Sequence, residues 1–186
     1  GDGVDNDNNG FVDDCRGYNF AENSGTQLEG DGDHGTHCAG IVAADSDNGV
    51  GVAGTAGGEE GAPGALLQIL TVFGKTNTGG FAEAIVYGAD NGAAISSNSW
   101  GYTSPGAYNE DELDAIDYFN LHGGGDVSNG GIVVVAAGND NDGGRWYPAY
   151  FGGRHGAADS TYDPDQDLND PYKGAVAVAS TNARLE

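Results

Sequence analysis

Basic residues are scarce in this chain: six Lys and Arg stand against 29 Asp and Glu in 186 residues, a formal net charge of −23. A surface of that sign repels phosphate backbones and anionic lipid, so neither nucleic acid nor a membrane is an expected partner. No apolar run approaches the ~20 residues needed to span a bilayer. With only Cys15 and Cys38, no disulfide scaffold can be built, and whether the two pair is open at this level. Bulky apolar residues are few as well, Leu, Ile, Val and Phe numbering 33. Few apolar residues with high charge is the composition of disorder. Their distribution argues otherwise. They gather in blocks such as 132–137 (IVVVAA), and two Trp and nine Tyr suit a packed interior. Gly and Pro together make 40 residues, short of the ~25–30% of low-complexity chains. The composition describes one folded domain with a thin core and long glycine-rich loops. An acid excess of this size suits a high-salt or calcium-rich exterior, or serves solubility alone.

Residues 1–33 are polar and rich in Asp, Asn and Gly, which reads as an acidic loop region. The run 34–44 is helix-compatible, with Cys38, Ile41 and Val42 at helical spacing. The run 65–73 (ALLQILTVF) predicts a buried strand. Phe81, Ala84, Ile85, Gly88 and Ala89 then line one face of a helix that ends near Asn91-Gly92. A second strand falls at 93–100. Asn109 with Glu112 three residues on has the form of a capping box, opening a helix to about Leu121. Strands follow at 132–137 and 175–180, and the acidic stretch from about 152 to 172 reads as a loop insertion. Strands alternating with helices predict an α/β fold with a mainly parallel sheet covered on both faces. Ligands of such sheets sit at the carboxyl ends of strands, here Ser99-Trp100-Gly101 and Gly138-Asn139.

The densest chemistry lies in Asp33-His34-Gly35-Thr36-His37-Cys38-Ala39-Gly40. A histidine at the first turn of a helix, flanked by glycines, faces a cleft while its backbone is held, which suits a general base. A metal pair of His34 and His37 is the alternative. Its spacing is one residue short of the i, i+4 of helical zinc sites, and no Glu follows His34. A second site is Asp5-Asn6-Asp7-Asn8-Asn9-Gly10-Phe11-Val12-Asp13-Asp14. Oxygen side chains at its positions 1, 3 and 5, glycine at 6 and acid at 9 match most of a calcium loop. That pattern assigns Ca²⁺ to Asp5, Asp7, Asn9 and Asp13 with the carbonyl of Phe11. Asp13 or Asp14 would close the shell, because Arg16 stands where the terminal Glu belongs. A solvated turn is the other reading. Asp45-Ser46-Asp47-Asn48-Gly49 is a weaker calcium candidate, and His122 and His155, with no motif around them, read as surface residues.

HGTHCAGIVAA, SSNSWG and VVVAAGND followed by WYPAY resemble, in the right order, the subtilisin-like serine proteases. The form with cysteine is similar to the proteinase K branch. The resemblance implies a three-layer subtilisin-like α/β fold, a secreted endopeptidase and polypeptide substrates. It implies that His34 is the triad base and Asn139 the oxyanion-hole side chain. Ser99, Trp100 and Gly101 would be the edge that pairs with extended substrate. Ala136, Ala137 and Gly138 would wall the pocket for the side chain before the cut, with Trp100 either broadening it or serving as a core residue. The departures are as informative. None of the nine serines stands in the family's Gly-Thr-Ser-Met-Ala setting, which family order places after 176–181. Asp2 lies at a plausible separation from His34, but its neighbours do not match the family's aspartate segment. The chain therefore reads as a single, partial peptidase domain, incomplete at both ends. A Cys-His protease built on Cys38 is disfavoured, since Cys38 lies one turn along the same helix. The rival from another class is a non-catalytic acidic calcium-binding domain that keeps the fold without the activity.

Overall fold

The computed structural model describes residues 1–59, 62–140, 144–151 and 174–179, and the chain divides into two compact units, Gly1–Ala84 and Ile85–Glu186. In the first, β1 (Gly17–Asn19) pairs in parallel with β4 (Ile69–Thr71), Tyr18 opposite Leu70. Gly17 has φ +125°, and a Cβ there would collide with the carbonyl of Ile69, so the close approach of the two strands needs glycine. Tyr18 is buried and meets Phe11 and Phe20 edge-on at 4.8 and 5.2 Å. Buried Asn19 is satisfied on both sides: its Nδ2 donates to the Gln27 carbonyl at 2.8 Å and its Oδ1 accepts from the Glu22 amide at 3.0 Å. This aromatic cluster makes a strand within a stretch whose composition predicts only loop. The 65–73 run shows the opposite departure. Only its centre is strand, and Leu66 is 94% exposed, so apolar character alone did not bury it. A short antiparallel pair, β2 (Gly58–Glu59) with β3 (Ala62–Pro63), has no signal in the sequence pattern.

Glu22 fastens the turn after β4. Its carboxylate accepts from the amides of Thr76 and Asn77 at 2.7 and 3.1 Å and from both their side chains. Those bonds, the Thr76 amide first, lower its pKa from 4.5 to about 2. A carboxylate depressed in the folded state stabilises above its unfolded value, and that contribution disappears as pH falls through the folded one. The melting temperatures of wild type and Glu22→Gln are therefore expected to differ near neutrality and to converge between 4.5 and 2. A constant difference across that window in thermal melts would refute the assignment.

The helix α1 (His34–Ala43) has no buried residue, and Ile41 is half exposed. Its last carbonyls are taken up by the chain that follows: Thr55 N–H donates to Ile41 O at 2.9 Å and Ala56 N–H to Val42 O at 2.7 Å.

The helix α2 (Phe81–Asp90) buries Ala84, Ile85, Gly88 and Ala89, the face expected from their spacing, together with Tyr87. In the second unit, β5 (Ile95–Asn98), β6 (Ile132–Ala136) and β7 (Val176–Val178) form a parallel sheet with β6 central. Val133 and Val135 of β6 are 1% exposed. The helix α3 (Glu110–His122) packs with β6 and buries Glu112, Ala115, Ile116, Phe119 and Asn120. Asn120 Nδ2 donates to the Gly174 carbonyl at 2.6 Å, and the Gly174 amide donates to Asp117 at 3.2 Å, which fixes the entry to β7. The expected insertion at about 152–172 lies outside the described residues.

Candidate active site

His34 opens α1 after Asp33, and both are exposed. Asp33 makes no side-chain cap, but its carbonyl accepts from the His37 amide at 2.9 Å, so the backbone beneath the imidazole is already helical. Cys38 Sγ lies 4.0 Å from His34 Nε2, one turn along the helix. That is the outer limit of a sulfur contact, and the thiol runs beside the imidazole instead of facing it across a cleft. Cys15 and Cys38 are both free thiols. His122 is exposed at the end of α3 with its ring 4.3 Å from that of Tyr118, while His155 lies outside the described residues.

The acidic loop of residues 5–14 folds about Asn9. Asp5 accepts from the Gly10 amide at 2.9 Å and the Asn9 amide at 3.2 Å, and the Gly10 bond chiefly holds its carboxyl below the usual range. The side-chain nitrogen of Asn9 donates to Asp7 Oδ2 at 3.1 Å and Asp14 Oδ2 at 2.8 Å, and its Oδ1 accepts from the Phe11 amide at 2.8 Å. Asp13 is directed elsewhere, accepting from the amides of Asp2 at 2.7 Å and Gly3 at 3.1 Å. Among the described residues no three His, Cys, Asp or Glu side chains form a metal-holding group as they stand. The donor set nevertheless fits a hard cation. An amide NH₂ between two carboxylates occupies a cation's electrostatic place, and presenting an oxygen there means turning that amide over and giving up its bond from the Phe11 amide.

The second unit gathers the remaining candidates at one sheet end. Asn98 of β5 pairs with Val135 of β6 in parallel register. Ser99-Trp100-Gly101 and, after Ala136 closes β6, Ala137-Gly138-Asn139 therefore leave from the carboxyl ends of neighbouring strands, where open α/β sheets bind ligands. Ser99, Gly101 and Asn139 are exposed, and Gly138 has φ +96°. Trp100 is half-buried, and its Nε1 donates to Asn98 Oδ1 at 3.1 Å, so it is not a fully buried core residue. The Ala137 amide donates to Val178 O at 3.0 Å, continuing the β6–β7 ladder up to the glycine.

Tyr102 carries no sequence motif, and Glu112 carries only that of a helix cap. The Tyr102 amide donates to Tyr147 O at 2.9 Å, and its hydroxyl donates to Glu112 Oε1 at 3.1 Å. Glu112 is thus not the reciprocal half of a capping box. Asn109 does cap α3, through the Asp111 amide at 2.9 Å, while Glu112 turns inward. Burial pushes its carboxyl up, with Tyr102 opposing the shift, and burial likewise raises the Tyr102 phenol. Its inward turn was not readable from spacing, because a helix-start glutamate satisfies the capping pattern wherever it points.

Among the described residues no helix is long and apolar enough to cross a membrane. Comparison with known proteins agrees with the motifs. The chain is 34% identical over 167 residues to thermitase of Thermoactinomyces vulgaris, covering 88% of this chain and 54% of that protein. Fervidolysin of Fervidobacterium pennivorans is 33% identical over 173 residues, 88% of this chain and 21% of that protein. Subtilisin Savinase of Lederbergia lenta is 31% identical over 138 residues, 73% of this chain and 45% of that protein. The chain thus spans about half the length of thermitase. The family model of the subtilases matches residues 3–184. With helices, mostly parallel strands and that match over nearly its whole length, the chain is α/β and belongs to the subtilase family.

Proposed function

We propose that this chain supplies the base and oxyanion side of a secreted serine endopeptidase acting on polypeptides. What carries the reading is the register Asn98↔Val135, which sets the candidate substrate edge and the candidate oxyanion residue at adjacent strand ends. An extended peptide would add its backbone to Ser99-Trp100-Gly101 by strand pairing, with 136–138 walling the pocket for the side chain before the cut. A serine in the Gly-Thr-Ser-Met-Ala setting, which none of this chain's nine serines occupies, would attack the peptide carbonyl, its proton passing to His34. The Asn139 amide would donate to the oxyanion as the tetrahedral intermediate forms. His34 would return the proton to the leaving amine, and water would release the acyl group by the same route. The orienting acid, like the nucleophile, is not among the residues placed at this site.

The test is an enzyme in which this chain is completed by the nucleophile-bearing segment of thermitase. It should hydrolyse casein and incorporate a serine-directed phosphonylating reagent once per molecule. A completed enzyme that folds cooperatively yet takes up no reagent would favour the rival, a non-catalytic acidic domain. The unextended chain is expected to be inert to both.

Calcium belongs to the proposal as a structural ion. Asp5, Asp7, Asn9 and the Phe11 carbonyl would hold it, and the third carboxylate would come from Asp14 in preference to Asp13, which the amides of Asp2 and Gly3 engage. The ion supplies charge neutralisation and cross-links the loop. An ion that binds only the folded chain stabilises it by about 2.7 kcal/mol at 100 times its Kd. The melting temperature should therefore climb with calcium, and Asp7→Asn or Asp14→Asn should abolish most of the rise while Asp13→Asn retains it. Absence of both heat and thermal shift in a calorimetric titration of the chelated protein would dispose of the site.

A further inference from the structure

The buried face of α3 is apolar through Ala115, Ile116 and Phe119, yet it opens with Glu112, 5% exposed. An ionisable side chain so placed weakens a core unless the geometry around it returns something, because a well-packed apolar residue of similar size often stabilises at least as well. What Glu112 holds is the loop after β5. Tyr102 follows directly on Ser99-Trp100-Gly101, and it is fixed at both ends, by its amide on Tyr147 O and by its hydroxyl on Glu112. Gly101 lies close against the same carbonyl, since a Cβ there would stand 3.1 Å from Tyr147 O. The Gly106 amide donates to Arg145 O at 2.7 Å, and the rings of Tyr108 and Tyr147 lie 5.0 Å apart. The loop thus leans on 145–147 along one side, and the Glu112–Tyr102 bond is its tie to α3.

We propose that Glu112 is a positioning residue that acts through Tyr102 to hold Ser99-Trp100-Gly101 in the extended conformation that receives a peptide backbone. This rests on the reading of those three residues as the substrate edge. The carboxylate touches no substrate. Its effect is on how well the edge is preformed, so it governs peptide affinity and leaves the chemical step alone. Preorganisation of a binding strand lowers the ordering cost that the peptide otherwise bears.

The test uses the chain itself, with Glu112→Leu, Glu112→Gln and Tyr102→Phe. Amide hydrogen exchange at Tyr102 and Gly106 reports on the loop. The affinity of an acetylated Ala-Ala-Ala-Phe amide, followed by Trp fluorescence, reports on the edge. Glu112→Leu should unfold at no lower temperature than wild type, yet exchange faster at both amides and bind the peptide about tenfold more weakly, the equivalent of one net hydrogen bond. Glu112→Gln keeps an oxygen that accepts from the Tyr102 hydroxyl, so it should behave as wild type in both. Tyr102→Phe, which removes only the hydroxyl, should reproduce the leucine variant's exchange and binding, and it carries the test if the leucine variant does not fold. Wild-type exchange in Glu112→Leu and Tyr102→Phe would overturn the proposal while leaving the substrate edge intact. Faster exchange in a protein whose wild type binds no peptide would also overturn it, and there the failure would belong to the substrate-edge reading.

Discussion

Replacing His34 by alanine in the completed enzyme is expected to lower kcat by about 10⁶, against about 10²–10³ for Asn139→Ala; both ranges come from subtilisin, a relative, and are carried over here. The difference follows from what each residue does. Without His34 the serine hydroxyl has no acceptor for its proton, and the remaining triad members add little, because the triad acts as one unit. Without Asn139 the reaction path survives, and the oxyanion loses one donor of several. KM should move little in either variant, since neither side chain is assigned to ground-state binding. Cys38→Ala is the necessary control. Its thiol is the near neighbour of His34 Nε2, at 4.0 Å, but lies along α1 and not across a cleft. That variant should retain acylation, measured as the burst of product in pre-steady-state kinetics. Loss of the burst in Cys38→Ala with an unchanged serine label would reverse the assignment of the nucleophile. Equal losses for His34→Ala and Asn139→Ala would instead mean that one of them acts only by holding the fold.

What was readable in the chain divides along a physical line. Local periodicity located α1, α2 and α3 to within a residue or two, because helical spacing and the Asn109 cap are written in contiguous residues. The strands β5, β6 and β7 fell inside the expected runs, β6 and β7 as short apolar blocks bounded by glycine or polar residues. Strand β1 was hidden, since three residues held by Phe11, Tyr18 and Phe20 and by the approach of Gly17 to Ile69 leave no periodic trace. The 65–73 run misled in the other direction, because hydropathy records a preference for burial and not whether a partner surface is supplied. At the site, His34 and Asn139 are candidates that the motifs name, and their roles belong to the proposal. The hydrogen bonds that engage Asp13, and the inward turn of Glu112, depend on which backbone amides and hydroxyls are in reach. Those partners are 10 or more positions away for Asp13 with Gly3 and for Glu112 with Tyr102, beyond what spacing rules capture.

Phe119→Ala is expected to destabilise the chain by about 3–5 kcal/mol, the upper end of large-to-small core replacements. Phe119 and Ile116 are completely buried on α3, which packs with β6, where Val133 and Val135 are 1% exposed. What raises the cost is the other side of the ring. A Cβ on Gly131 would collide with the Phe119 ring, and one on Gly123 would lie 3.1 Å from it, so bare backbone forms that wall. Backbone hydrogen-bonded in place cannot collapse into the space the ring leaves. The Gly123 and Gly131 amides both donate to the Phe119 carbonyl, at 2.8 and 3.2 Å, and would hold that wall open around the cavity. Since the cost of a large-to-small change grows with the cavity that remains, a wall without side chains predicts little relief. Phe119→Leu should cost much less, and Gly131→Ala should destabilise from the opposite direction by overpacking the same contact. Urea unfolding of the three variants checks this, with a constant m-value required for the comparison. If Gly131→Ala in the Phe119→Ala background recovered nothing, the ring and the glycine wall would not be the coupled pair that their geometry describes.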